Sequence, residues 1–243
     1  MDEIAFFRAL HRPGVILDIG AHDGLLTKPL SELPGARVIA FEPLPQARER
    51  LLAGFGGALP PHVTLRAEAL GAGPGEAVLS LPILDGEPAE QWASIAKDYA
   101  EHPHLGTERH RVPVIALDSL GLEQVSAVKL DAEGGELEVL EGARGTLTRC
   151  RPVLSIEIEE RHRPGSTRDV PALLDALGYA GWFWHDGALR PLDAFALERM
   201  QLASPDPGNF RVSDPYIFAF FFLPREAEAP LLARLAAAGF RPG

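Results

Sequence analysis

Four acidic residues stand where four apolar runs end. Asp18 closes Val15-Ile16-Leu17, Glu42 follows Arg37-Val38-Ile39-Ala40-Phe41, Asp131 follows Ala127-Val128-Lys129-Leu130, and Glu157 falls near the end of the run from Val153 to Ile158. Carboxylates brought together from separate strand ends can hold a cation, and a buried one can exchange a proton near neutral pH. The first acid opens Asp18-Ile19-Gly20-Ala21-His22-Asp23-Gly24, in which Gly20 and Gly24 permit a sharp turn that lays bare backbone against a ligand. Glu42 lies about 20 residues further on, where a nucleotide-binding α/β fold places an acid to accept hydrogen bonds from two ribose hydroxyls. Asp18 and Asp23 surround the loop with carboxylates instead of a phosphate-binding lysine, which suits a cationic or neutral nucleoside better than a polyphosphate. Four such acids would repel one another without a cation. The readings are a bound sulfonium or a divalent metal, set against helix capping or pairing with arginine.

To converge, these acids need parallel strands, and apolar runs alternate with helical patterns in the required order. Strands are expected at 15–19, 37–41, 63–65, 127–130, 153–158 and 218–223, with a further hairpin strand over 77–81. Helices are expected over 2–11, 24–33, 45–54, from 136 through Leu147, and 169–177. The pattern predicts an α/β fold: a doubly wound, mostly parallel, seven-stranded Rossmann-like sheet with helices on both faces and ligands at the carboxyl ends of its strands. Residues 82–111 read as a long loop with a short helix near 89–100. A chain of 243 residues with 46% apolar content fits one domain, with a core over about 14–160 and elaborations at 82–111 and 160–215.

Composition removes other classes. Lys and Arg total 23 against 34 Asp and Glu, a net charge of −11 without a basic stripe, so no nucleic-acid partner is expected. No apolar run reaches the roughly 20 residues of a membrane helix, and the start Met1-Asp2-Glu3 lacks a signal peptide's basic region. Cys150 is the sole cysteine, so an internal disulfide is impossible; a packing thiol in a reducing, cytoplasmic setting is expected. Oligomeric state is left open.

The ordered blocks Val15 to Gly24, Phe41-Glu42-Pro43, Ala69-Leu70-Gly71, Ile115-Ala116-Leu117-Asp118-Ser119-Leu120 and Val128 to Glu136, followed by Val139-Leu140-Glu141-Gly142-Ala143, resemble the FkbM-type S-adenosylmethionine-dependent methyltransferases of class I. The first two blocks are common to most class I methyltransferases. The pairing of Leu117-Asp118-Ser119-Leu120 with Lys129-Leu130-Asp131-Ala132-Glu133-Gly134 is far more specific. The resemblance implies S-adenosyl-L-methionine as cofactor, held by Asp18, Gly20, Ala21, His22, Asp23, Gly24, Glu42, Pro43, Glu68, Ala69, Ser94, Asp131 and Glu133. His22 is a departure, since the family carries Asn there. The implied reaction is O-methylation of a small molecule such as a sugar, polyketide or other natural product. A hydroxyl acceptor needs a proton acceptor: His162 is the first choice because histidine alone has an ordinary pKa near neutrality, with Glu157 and Asp131 as alternatives. The competing reading of His162 is a solvated loop side chain.

Trp92 and Ser94 are placed as pocket residues, and Trp182 and Trp184 as packing. His102, His104 and His110 have spacings that match no strong ligand motif, so no metal is expected. Two other classes stay in view. An NAD(P)-dependent oxidoreductase is disfavoured because Gly20 and Gly24 lack the G-x-G-x-x-G spacing that seats a pyrophosphate. A non-catalytic partner-binding module on the same fold is disfavoured by the acid at every strand end.

Overall fold

The backbone alternation of each strand separates two apolar layers. In the computed structural model, which describes residues 3–84, 87–88, 106–203 and 216–243, the first strand β1 (Gly14–Ile19) sends Val15, Leu17 and Ile19 to one face and Ile16 to the other. Strands β2 (Ala36–Phe41) and β3 (Val63–Arg66) extend the sheet on one side of β1, and β8 (Val125–Leu130) and β9 (Val153–Glu157) on the other, all parallel. Beyond β9 lie β12 (Ala219–Pro224), antiparallel to it, then β10 (Tyr179–His185) and β11 (Ala188–Pro191). The spatial order is β11-β10-β12-β9-β8-β1-β2-β3.

Helices cover both faces, as a doubly wound fold requires. One face packs against α4 (Glu136–Glu141), α5 (Arg144–Cys150) and α6 (Ser166–Ala176) through Val139, Leu140, Leu147, Val170 and Leu174. The other packs against α1 (Glu3–Leu10), α2 (Thr27–Ser31) and α7 (Glu228–Ala237) through Phe6, Phe7, Leu30 and Leu235; the Phe6 and Phe221 rings lie 4.6 Å apart. Helix α3 (Pro45–Gly54) buries Leu51 against Ala21 and Ala40. Among the described residues, no helix is long and apolar enough to cross a membrane.

Several expectations are corrected. The sheet has eight strands, not seven, because β10 and β11 form a hairpin across Asp186 (φ 50°) and Gly187 (φ 70°), the Asp-Gly turn whose twist matches paired strands. Part of the 82–111 stretch is a strand: β7 (Gly106–Ile115) pairs antiparallel with β5 (Gly75–Leu84) from Gly75↔Val114 to Ile83↔Gly106, in a second sheet of order β4-β7-β5-β6 with β4 (Ala69–Leu70) and β6 (Glu87–Pro88). Its charged residues hide the strand signal because both of its faces are partly exposed over Thr107–Arg111. The helix expected at 24–33 is reduced to five residues, since Gly24 is left-handed (φ 83°) and bonds back to Ala21. The helix following Asp131 breaks into α4 and α5 at Gly142 and Ala143.

Candidate active site

The strand ends converge on a cleft of about 780 Å³ lying between the carboxyl edge of the main sheet and the second sheet. Gly20, His22, Glu42 and Pro43 form one side, with Glu68 and Ala69 beside them. Asp131, next to Gly20, continues the lining with Glu133, Glu157 and His162. Leu70, Ala77, Leu79 and Val114 give an apolar wall from the second sheet. Asp18, Ala21, Asp23 and Gly24 lie behind this surface rather than in it, and Ser94, with Trp92, His102 and His104, falls outside the described residues. His110 lies on β7 and pairs with Glu108 at 2.7 Å.

The loop after β1 is set by close backbone packing. A Cβ on Gly20 would come within 1.8 Å of the Asp131 carbonyl oxygen, and its φ of 73° disfavours any L side chain, so only glycine fits. The Gly20 and Ala21 amides both donate to the Phe41 carbonyl at 3.0 Å. His22 is also left-handed (φ 48°), and its backbone N–H donates to Glu42 Oε2 at 2.8 Å, while Leu44 N–H donates to Oε1 at 2.7 Å. Burial raises the Glu42 pKa, and the Leu44 and His22 amides oppose that rise. A carboxylate offers about four lone pairs, so two remain for a ligand.

Sequence reasoning missed the cation that reconciles the acids. Lys129, 8% exposed, lies on β8 in register with Asp18, and its ammonium is 3.8 Å from Asp18 Oδ1 and 3.4 Å from Asp131 Oδ2 while donating to the Gly20 carbonyl at 2.7 Å. Burial alone would lower the Lys129 pKa, but Asp131, Asp18, Glu3 and Glu157 overcome it and hold the group charged. Asp18 is fully buried and accepts from Thr27 Oγ1 at 2.6 Å, so it positions Lys129 and the loop without touching the cleft. A lone lysine inside the apolar run Val125–Leu130 was the available signal, since lysine is seldom buried unless paired. Asp131 Oδ1 is buried with no hydrogen-bond partner among the described residues.

The loop after β8 bends through Glu133 (φ 50°) and Gly134 (φ 102°), and the buried Glu136 holds it by accepting from the Ala132 amide at 2.9 Å and the Gly134 amide at 3.1 Å. Burial pushes the Glu136 pKa up to about 7. Neither Asp131 nor Glu133 caps α4, whose N-cap is Gly135 without a side-chain bond, which removes the capping alternative. His162 is not a solvated side chain: it is 5% exposed, its Nδ1 is 3.3 Å from Glu133 Oε2 and its Nε2 is 3.3 Å from Glu159 Oε1. Glu159 is in turn clamped by Arg161, at 2.6 and 2.7 Å, and by the Tyr216 hydroxyl. Burial, then Asp131 and Glu159, drive the Glu157 pKa far above the usual carboxylate range.

The cradle at Gly20, the spare acceptor capacity of Glu42 and the partnerless Asp131 oxygen suit a nucleoside carrying a positive centre. Comparison with known proteins agrees. The model described as the methyltransferase FkbM domain matches residues 18–180. The fold is similar to the crystal structure of methyltransferase FkbM from Methylobacillus flagellatus KT, with a TM-score of 0.54 and 16% identity, over 88% of this chain and 45% of that one. A rRNA methylase from Streptococcus thermophilus is a more distant likeness, at 13% identity and TM-score 0.45 over 90% of this chain and 92% of that one. The AMB antimetabolite synthetase AmbE of Pseudomonas aeruginosa PAO1 is 28% identical over 205 residues, which are 69% of this chain and only 9% of that protein. With a domain match over most of its length and the strand-end acids Glu42, Asp131 and Glu157 in one cleft, the chain belongs to the FkbM family of S-adenosylmethionine-dependent methyltransferases.

Proposed function

We propose that this protein methylates a hydroxyl oxygen of a small molecule, and the observation that carries the reading is the gathering of Glu42, Asp131, Glu133 and His162 around one cleft. S-adenosylmethionine, when bound, supplies an electrophilic methyl group on a cationic sulfur. Gly20 and His22 would present backbone to the donor, Glu42 would accept the ribose hydroxyls with its remaining lone pairs, and Glu68, Ala69 and Pro43 would border the base. Asp131 and Glu133 would face the positive end of the donor. Such acids orient the ground state; rate comes from placing the acceptor oxygen in line with the methyl group.

His162 would take the acceptor's proton. Its Nε2 is held at Glu159, which leaves Nδ1 on the Glu133 side of the cleft. Glu157, held protonated by its burial, is the poorer base. The acidic net charge of −11 supports a small molecule over a nucleic acid, and the likeness to an antimetabolite synthetase supports an acceptor from small-molecule biosynthesis. His162, Arg163 and Pro164 line the cleft on the side where we place the acceptor.

Isothermal calorimetry against S-adenosylmethionine, S-adenosylhomocysteine and NADH tests the donor. The expected result is saturable binding of the first two; no binding of either, or tight NADH binding, overturns the reading. With a panel of hydroxylated acceptors, His162→Ala should lower turnover with S-adenosylhomocysteine affinity nearly unchanged, and full turnover in that variant removes His162 as the base.

A further inference from the structure

The acids of the cleft differ in their nearest neighbours. Glu68 pairs with Arg66 at 2.5 Å, Glu138 with Arg163 at 2.6 Å, and Asp131 with Lys129 at 3.4 Å. Glu133 and Glu157, which also feel the Arg161 and Lys129 charges, meet at His162, and a carboxylate oxygen of each lies within 4.8 Å of the other and of an imidazole nitrogen. That spread is close to what a divalent ion at about 2.1–2.4 Å from each ligand would draw together after small side-chain movements.

The imidazole is also oriented as a ligand would be. A metal-bound histidine commonly gives its far N–H to a carboxylate, which fixes the tautomer and aims the other nitrogen. Here Glu159, whose side chain is 1% exposed, lies 3.3 Å from Nε2 and is itself locked by Arg161. Nδ1 is thereby turned toward Glu133. Asp131, whose charge acts on Glu157, also lines the cleft, and its Oδ1, without a hydrogen-bond partner among the described residues, offers a further oxygen.

We propose that Glu133, Glu157 and His162 bind one divalent metal ion, of the manganese or magnesium class, beside the methyl-donor pocket. Two carboxylates and one imidazole suit a hard to borderline ion, whose binding displaces the Glu157 proton, and the open cleft leaves coordination positions for water or an acceptor oxygen. In the loaded protein the ion would lower the pKa of a bound acceptor hydroxyl, whose proton would pass to water in the open cleft, and His162 would serve as a ligand; its role as proton acceptor belongs to the ion-free protein. This rests on the methyltransferase reading only for its purpose, because ion binding needs no donor.

The test is Mn²⁺ titration of the full chain, read by the loss of free-Mn²⁺ electron paramagnetic resonance signal. One equivalent should bind the parent, Glu157→Gln and His162→Ala should each weaken binding at least tenfold, and Glu76→Gln, on the exposed face of β5, should leave it unchanged. Thermal melting checks that the variants fold; Glu157→Gln removes a crowded buried acid and serves if His162→Ala does not fold. No saturable binding by the parent, or parental affinity in both site variants, overturns the proposal. Calorimetry with S-adenosylhomocysteine on the same samples separates the two readings: donor binding without Mn²⁺ binding rejects only the metal site, and Mn²⁺ binding without donor binding rejects only the methyltransferase reading.

Discussion

Glu42 has two tasks, since it accepts the His22 and Leu44 amides and would also accept the donor's ribose hydroxyls. Glu42→Ala should weaken S-adenosylhomocysteine binding by about 1–3 kcal/mol, the scale of a hydrogen bond to a charged group; unchanged affinity by calorimetry would remove Glu42 from the site. Glu136 gives a pH prediction. Its folded pKa of about 7 lies above the ordinary 4.5, so its contribution to stability is full below pH about 4.5 and is lost as pH rises through about 7. Glu136→Gln keeps an oxygen for the Ala132 and Gly134 amides without the charge, so it should be more stable than the parent at pH 8, by up to about 3 kcal/mol, and equal to it near pH 4.5. Melting curves across that range check it; a variant less stable at pH 8 contradicts the argument. At this scale the sequence showed which acids end strands. It did not show Lys129 as their counter-ion or Glu136 and Glu159 as supports, because burial of a polar side chain is decided by neighbours distant in the chain.

Strands β1 and β8 were legible from the sequence as continuous apolar runs, because a central parallel strand is buried on both faces. Strand β7 was not, because its pairing with β5 is long-range and three of its ten residues, Glu108, Arg109 and Arg111, are charged. The Leu117-Asp118-Ser119-Leu120 block, specific as a family mark, has a structural explanation: Asp118 accepts from the Gly145 amide at 2.8 Å and from the Thr146 amide and hydroxyl at 2.7 Å, capping α5 from outside the helix. Asp118→Ala should therefore cost about 1–2 kcal/mol in denaturant unfolding, with donor affinity little changed. An unaltered midpoint would show that water replaces the cap without cost.

The molecule as a whole depends on how the second sheet is joined to the first. Gly142, where α4 ends, has an ordinary φ, yet a Cβ there would come within 2.0 Å of the Gly71 carbonyl oxygen next to β4, and its own carbonyl accepts from Asp118 N–H at 2.9 Å. The demand for glycine is one of proximity, and Gly142→Ala should destabilise the fold by more than about 2 kcal/mol or reshape the apolar wall; a variant with parental melting temperature and donor affinity would show that the seam yields freely. The alternating order of strands and helices made the doubly wound layer legible, while the eighth strand and the separate second sheet arise from antiparallel pairings that the α/β alternation does not encode.

The bend after β1 is fastened from three sides, by the Phe41 carbonyl, by Glu42 and by the Lys129 ammonium. Its conformational freedom is thus surrendered when the chain folds, not when a nucleoside arrives. The arriving molecule meets a mould that is already rigid, and its affinity carries no charge for loop ordering.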